Sequence, residues 1–378
     1  MKKIGLPLIS LLLCFLLCGC WNRREISKIA IVMGFAVDAG KQEDELEITA
    51  QIANTRTIAS ASEGKEGGGA QKPYLNLSSS GDYVFPAIRN SVTKSGARLY
   101  MAHNYVVLFG EELARRGLDG YMDFFLRDHE LRLDMNLLVA REKAGEFLEV
   151  ETGFQSIPAL HIHDLVDAQS QLSTGMPVTV LDFMNHLATG RGAGLIPIIE
   201  VDKKKEKETL RMSGTAVFDG GKMIGELSEQ ETRGLLWAKN AVKQAVIMAD
   251  VEGNKVGIEV VRAKGTIEVD PADPMTMVIR VEAIGSLASQ REDENLTTGE
   301  GIDMLLGAFA GEIEKEIRSC LEKGQSLGAD VFDFSEVLYR RHPKLWEQMQ
   351  DADFHAIPVR IQVKTKLDSS GRIGKPVK

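Results

Sequence analysis

Cysteine is scarce in this 378-residue sequence, and its few copies are badly placed for bridging. Cys14, Cys18 and Cys20 cluster at the start, while Cys320 stands alone far down the chain. Cysteines so few and so placed leave the chain held by its core and not by a disulfide framework. An excess of bases is also missing: 45 Lys and Arg stand against 54 Asp and Glu, a formal net charge of −9. The overall field therefore does not draw the chain to nucleic acid or to anionic lipid. After the first twenty positions no apolar run approaches the ~20 residues of a bilayer-spanning helix. GxSxG, Walker A, CxxC and HExxH patterns are absent too, leaving no positive argument for catalysis, a metal or a cofactor. What remains is ordinary globular composition, 44% hydrophobic and 26% charged, in a length that implies two or three compact domains.

The first twenty residues are of a different kind. Lys2 and Lys3 precede an apolar stretch over 4–17 and then small residues, the layout of a secretory signal. Leu17-Cys18-Gly19-Cys20 resembles the bacterial lipobox, in which the cysteine after the glycine is acylated and becomes the mature N-terminus. Segment 1–19 is accordingly expected to be removed and Cys20 to carry the lipid, palmitate among its acyl chains. Loss of Lys2 and Lys3 makes the body more acidic still, so attachment to a membrane must come from the acyl chains. Two or three chains anchor stably where one is marginal. Cys14 and Cys18 leave with the signal, and Cys320 borders an apolar helical stripe, where it reads as a small buried hydrophobe.

Beyond the anchor, alternation over 29–37 and 46–52 predicts two strands joined as a hairpin. Residues 63–71, rich in glycine, read as a mobile loop. Helices are expected from residue 82, near Glu111 up to Gly117, and over 118–126; strands over 105–109 and 135–140 alternate with them. Residues 154–171 show no clear period. Thr179, with Asp182 in the first turn, caps a short helix. Strands follow at 195–201 and 210–218, with the mixed-sign run 203–208 between them as a solvated hairpin loop or linker. Ser228 and Glu231 form a capping box. Strands at 256–269 and 275–287 precede a long helix over 298–323, whose Ile302, Leu305, Leu306, Phe309, Ile313, Ile317 and Leu321 form one stripe. The alternation over 357–367 predicts a last strand in an antiparallel sheet. Paired strands and few long helices indicate an α+β fold with largely antiparallel or mixed sheets and packed helices.

Three clusters offer chemical groups. Gly190-Arg191-Gly192-Ala193-Gly194 precedes a strand instead of following one, so it reads as a flexible connection and not a phosphate loop. His161-Ile162-His163-Asp164 would place both imidazoles on one face of a strand, but no further ligand completes a metal site, and they read as surface or loop histidines. Asp128-His129-Glu130 lies at a charged helix end between Arg127 and Arg132, where ion pairing accounts for it.

Several segments together resemble the Ger(x)C family, the lipoprotein C subunits of bacterial spore germinant receptors. They are the start Gly19-Cys20-Trp21-Asn22-Arg23-Arg24-Glu25-Ile26, then Ala97-Arg98-Leu99-Tyr100 with His103 and the strand over 105–110, and Phe124-Phe125-Leu126-Arg127-Asp128. In the second half they are Ala216-Val217-Phe218, Gly225-Glu226-Leu227-Ser228, the run over 231–237, Asp330-Val331-Phe332 and the run over 339–346. Cys18 and Asn22 depart from the usual pattern. The resemblance implies a signal over 1–19, an N-terminal region over 20–202, which could hold two subdomains, and a C-terminal region over 203–378. It implies a non-enzymatic subunit on the outer face of the spore inner membrane, beside two integral membrane subunits, with the germinant held elsewhere. A solute-binding lipoprotein of an importer shares the anchor but would show two lobes of repeating βαβ units. A lipid-anchored hydrolase would need a nucleophile and base that cannot be nominated.

Overall fold

The computed structural model describes residues 29–42, 45–55, 57–58, 71–202, 208–272, 275–289 and 299–369. Cys20, most of the glycine-rich segment 63–71 and residues 203–207 of the charge run lie outside the described residues.

The chain opens with β1 (Ile29–Ala39) and β2 (Leu46–Ala53), antiparallel as expected, with β3 (Tyr74–Gly81) added along β2. Strand β3 has three consecutive serines and little apolar alternation, which is why the pattern did not reveal it. Helix α1 (Val84–Ser95) then runs to a short β4 (Arg98–Tyr100), which lies parallel beside the start of β1. Next come β5 (Val106–Gly110), α2 (Glu111–Arg116), α3 (Asp119–Arg127), β6 (Asn136–Ala140), α4 (Ala144–Phe147), α5 (Pro158–Leu172) and α6 (Val180–Thr189). They lead to β7 (Gly194–Asp202), β8 (Thr209–Asp219) and β9 (Lys222–Leu227). The described residues form one nine-stranded sheet, ordered β3-β2-β1-β5-β6-β7-β8-β9 with β4 on β1.

Strands β1, β5, β6 and β7 are mutually parallel at the centre, a feature that strand pairing in the sequence did not announce. Every residue of β5 and of β6 is buried, as parallel strands covered on both faces require. On one face Phe35, Val107, Phe109 and Leu137 meet Ala87, Leu113, Met122, Phe125 and Phe183 from α1, α2, α3 and α6. On the other, Ala36, Val106, Leu108 and Leu138 meet Phe147, Ile162 and Val166 from α4 and α5. Helix α5 occupies the stretch without clear periodicity. Its inner face includes a histidine, His161, so the apolar stripe is interrupted where a helix reader would look for it.

The C-terminal half builds a second sheet. Helix α7 (Glu229–Ala238) starts at the Ser228–Glu231 capping box, which is formed in both directions. Strands β10 (Val246–Val251), β11 (Asn254–Asp270) and β12 (Thr276–Ser289) run antiparallel. Helices α8 (Gly299–Leu327), α9 (Phe334–Arg341) and α10 (Pro343–Met349) carry the chain back to β13 (Val359–Ser369). Strand β13 pairs parallel to β12, which corrects the antiparallel expectation. The alternation is present, but an edge strand with one wet face looks the same in either orientation. The stripe on α8 is confirmed at its centre: Leu305, Phe309, Ile313, Ile317 and Cys320 are buried against Ile258, Ile279 and Val281 of the sheet. Both sheets are mixed and carry packed helices, an α+β architecture.

The expected division at 202/203 falls at the β7–β8 connection, and the large sheet continues across it through β8 and β9. Leu195, Val217 and Leu227 of that sheet join the same hydrophobic cluster as Trp237 and Phe309.

Candidate functional site

The carboxyl ends of parallel strands are where open α/β sheets usually leave a ligand crevice. Here side chains fill that position. Arg141, just beyond β6, reaches Glu226 at 2.8 Å, Glu111 at 3.6 Å and Glu200 at 3.7 Å. Beside it the buried carboxylate of Asp38 accepts the Ala144 N–H at 2.7 Å and the Gly145 N–H at 2.9 Å, closing the start of α4. Burial pushes the Asp38 carboxyl above its ordinary range despite those two bonds.

The residues nominated from the sequence do not assemble into a reactive centre. His161 is buried on α5 and stacks on Phe154 at 5.5 Å, and burial lowers its basicity. His163 contacts Asn136 through Nδ1 at 2.8 Å. The pair sits on a helix, where a two-residue step points to different sides, so neither the shared strand face nor the surface-or-loop reading holds for His161. Asp164 accepts from Gln155 at 2.6 Å. Around Asp128-His129-Glu130 the ion pairs are Arg127–Asp123, Arg98–Glu130 and Arg132–Asp134. Cys320 is a free thiol buried in the α8 core, and burial pushes its pKa far up. Among the described residues no group of three or more His, Cys, Asp or Glu is placed to hold a metal ion.

Gly190–Gly194 is not a loose connection, which corrects the flexible reading. Gly190 ends α6 in the left-handed region at φ 61°. The Gly192 N–H donates to Ser335 Oγ at 2.9 Å and the Ala193 N–H to the Asp330 carbonyl at 2.9 Å. The Arg191 guanidinium bonds Glu336 at 2.5 Å and lies 3.8 Å from the Tyr339 ring centroid. Asp330 in turn accepts from the Phe334 and Ser335 N–H groups at 2.8 and 2.9 Å, holding the start of α9. Lys239–Asp333 at 2.6 Å closes the far side. This clasp fastens α9 to the large sheet. Burial opposes ionisation of Glu336, but hydrogen bonds from Arg191 and Arg340 and their charge outweigh it and hold the carboxyl below its ordinary range. A depressed native pKa means stability that is complete above the unfolded-state value and is lost as pH falls through the native one. Glu336→Gln should therefore flatten the acid limb of a stability-versus-pH profile, measured as Tm across pH 3 to 7.

A second network joins α7 to α8. Arg233 Nε lies 3.0 and 2.9 Å from the two carboxylate oxygens of Glu316, Arg233 Nη2 bonds Glu316 Oε1, and Trp237 Nε1–H donates to Glu316 Oε2 at 2.9 Å. Thr215 and Thr232 share a buried hydroxyl contact at 3.0 Å. Beside Arg191, Tyr339, Trp346 and Phe354 form an aromatic ladder with centroids 5.8 and 5.7 Å apart. The segments over 231–237 and 339–346 that carry the family resemblance thus serve as architecture.

The surface feature of most interest is a groove of about 570 Å³ between α1 and α3. Tyr83, Val84 and Phe85 line one side, Gly120, Asp123, Phe124 and Arg127 the other, and Arg98 and His129 also reach it. Tyr83 and Phe85 are exposed. Such a patch suits contact with another body and not bond-making chemistry. Among the described residues no helix is long and apolar enough to cross a membrane.

Two mixed sheets with packed helices, their layers joined by ion pairs, make an α+β body. Its family is shown by comparison: the chain belongs to the Ger(x)C family. Residues 22–201 match the spore germination protein N-terminal domain, and residues 213–371 match the spore germination B3/GerAC-like C-terminal domain. Spore germination protein KC of Bacillus subtilis (strain 168) is 27% identical over 403 residues, covering 100% of this chain and 98% of that protein. Spore germination protein B3 of the same organism is 23% identical over 369 residues, covering 95% and 96%. The crystal structure of the GerBC protein shares the fold at TM-score 0.59 and 18% identity, covering 89% of this chain and 97% of that one.

Proposed function

We propose that this chain is a lipid-anchored, non-enzymatic subunit of a spore germinant receptor. In this reading segment 1–19 is removed and acyl chains on Cys20 hold the body at the outer face of the spore inner membrane. It works there beside two integral membrane subunits and is needed for nutrient-triggered germination. The germinant itself is held by the partners. The observation that carries the reading is the match of both family domains, in order, across 22–371, to relatives described as spore germination proteins. The lipobox-like Leu17-Cys18-Gly19-Cys20 supports the anchor.

The competing assignment, a solute-binding lipoprotein of an importer, requires ligand binding by this chain alone. Thermal unfolding of the purified full chain with and without amino acids, sugars and nucleosides separates the two. The receptor-subunit reading expects an unchanged Tm. A saturable rise would show native-state binding and would overturn the assignment of the germinant to the partners.

A further inference from the structure

Residues 83–110 contain no aspartate or glutamate, in a chain that has 54 of them. Most of the exposed residues of that stretch lie on α1 and its approach, with Arg98, His103 and Tyr105 exposed beyond it. Tyr83 precedes the helix and is 65% exposed, and Phe85 in its first turn is 49% exposed. The Arg89 guanidinium lies 4.8 Å from the centroid of the Phe85 ring. Lys94 sits in the last turn, with Nζ also donating to the Ser78 carbonyl at 3.1 Å. Phe85, Arg89 and Thr93 recur at four-residue steps, so they share one stripe of the helix, and all three are exposed. Aromatic rings beside basic side chains, with exposed Asp82 the one acid next to them in sequence, match the interfacial layer of an anionic bilayer: rings settle at headgroup depth, and basic heads reach phosphates over apolar stems. The carboxylates across the groove are already engaged. Asp123 pairs with Arg127 at 2.6 Å, and Asp128 accepts the Glu130 N–H at 2.9 Å.

The position of the anchor points the same way. The described chain begins at Ile29, whose β-partner is Arg98, and Arg98 lines the groove beside α1. Cys20 precedes Ile29 by only nine residues, a contour of at most about 30 Å. Helix α1 is 12 residues long, roughly 18 Å. An acyl group on Cys20 therefore keeps the whole of α1 within reach of the headgroups. We propose that α1 lies on the bilayer, with Tyr83, Phe85 and Arg89 in the headgroup layer. The acyl chains supply attachment, and α1 fixes which face of the body turns toward the membrane. The inference rests on the Cys20 anchor of the proposed function.

The test uses the full lipidated chain on vesicles of phosphatidylglycerol mixed with phosphatidylcholine. A polarity-sensitive thiol dye is placed at Thr93→Cys on α1 or, as control, at Met248→Cys on β10; buried Cys320 stays unlabelled. Lipid-borne nitroxide should quench the dye at position 93 and spare it at 248, and Phe85→Ser with Arg89→Glu should abolish the difference. Equal quenching at the two positions, in protein that co-floats with the vesicles, overturns the membrane role of α1 and leaves the anchor standing. Failure to co-float removes the anchor and this inference together. Quenching or protection at position 93 that appears only when integral membrane subunits are added assigns the surface to a protein partner and overturns the lipid assignment.

Discussion

Glu316→Ala should lower the stability of the C-terminal half by about 3–5 kcal/mol, because it leaves a largely buried guanidinium without its partner. Glu316 is 7% and Arg233 18% exposed in their side chains, and the carboxylate also accepts from the Trp237 indole. Removing it strands two donors at once, each costly when desolvated. Burial opposes protonation of Arg233, and the Glu316 hydrogen bonds and charge outweigh it, so the cation is held in the native state above its ordinary affinity for the proton. Glu316→Gln should cost less, since the amide oxygen can still accept from Trp237. Joint replacement of Arg233 by Met and Glu316 by Leu should recover much of the loss, as apolar substitutes for buried pairs do elsewhere. Urea unfolding of the three variants, followed by far-ultraviolet circular dichroism, measures the ordering. A Glu316→Ala loss below about 1 kcal/mol would mean that the pair is solvated in solution like an ordinary surface bridge.

The second large effect concerns where the chain can be cut. A fragment ending at Asp202 follows the boundary between the matched family domains, yet it should fail to fold as a soluble monomer. One ending shortly after Leu227 should fold. The reason is that β8 and β9 complete the N-terminal sheet: β8 covers β7 from Leu195↔Val217 to Asp202↔Thr209, and Ala216, Phe218 and Met223 belong to the same core as Phe35 and Phe109. The β8–β9 turn also accepts the Leu118 N–H at the Gly221 carbonyl, 2.8 Å away. Truncation at Asp202 strips that cover from β7, whose first six residues are buried, and exposes a long apolar edge open to intermolecular pairing. Size-exclusion chromatography of the two fragments compares them directly. A soluble, monomeric 20–202 fragment with native-like secondary structure would show that the shared sheet is dispensable.

Much of this architecture can be read from local signals because it is fixed by local physics. The capping boxes at Thr179–Asp182 and Ser228–Glu231 form as their spacing demands. Helix α8 announces itself through a stripe that the structure buries. What is illegible depends on partners distant in sequence. His161 disguises α5 because an imidazole at an inward position is satisfied by stacking on Phe154. The parallel placement of β13 depends on the path through α8, α9 and α10, while the strand's own alternation is silent about direction. The Arg233–Glu316 pair left a trace: an acid between Ile313 and Ile317 on an otherwise apolar stripe, with Arg233 and Trp237 one helical turn apart. The clasp at Arg191 left less, since glycines on both sides suggest freedom when they in fact permit close docking on Ser335 and Asp330.

These contacts give the protein a consistent character. Its ionisable groups are spent on joining layers: Arg141 over the large sheet, Arg191 and Lys239 at α9, Arg233 between α7 and α8. Under the proposed function, such a body offers surfaces for docking beside membrane partners. In the proposed function, Cys20 is the residue on which placement at the membrane depends. The direct measurement is Cys20→Ala in the native spore-former, with fractionation of the spore membranes and a germination assay on each nutrient class. The variant should leave the membrane fraction, and the response to one class of germinant should be lost or slowed. Unchanged retention in the membrane fraction together with a normal germination response would contradict the proposed function.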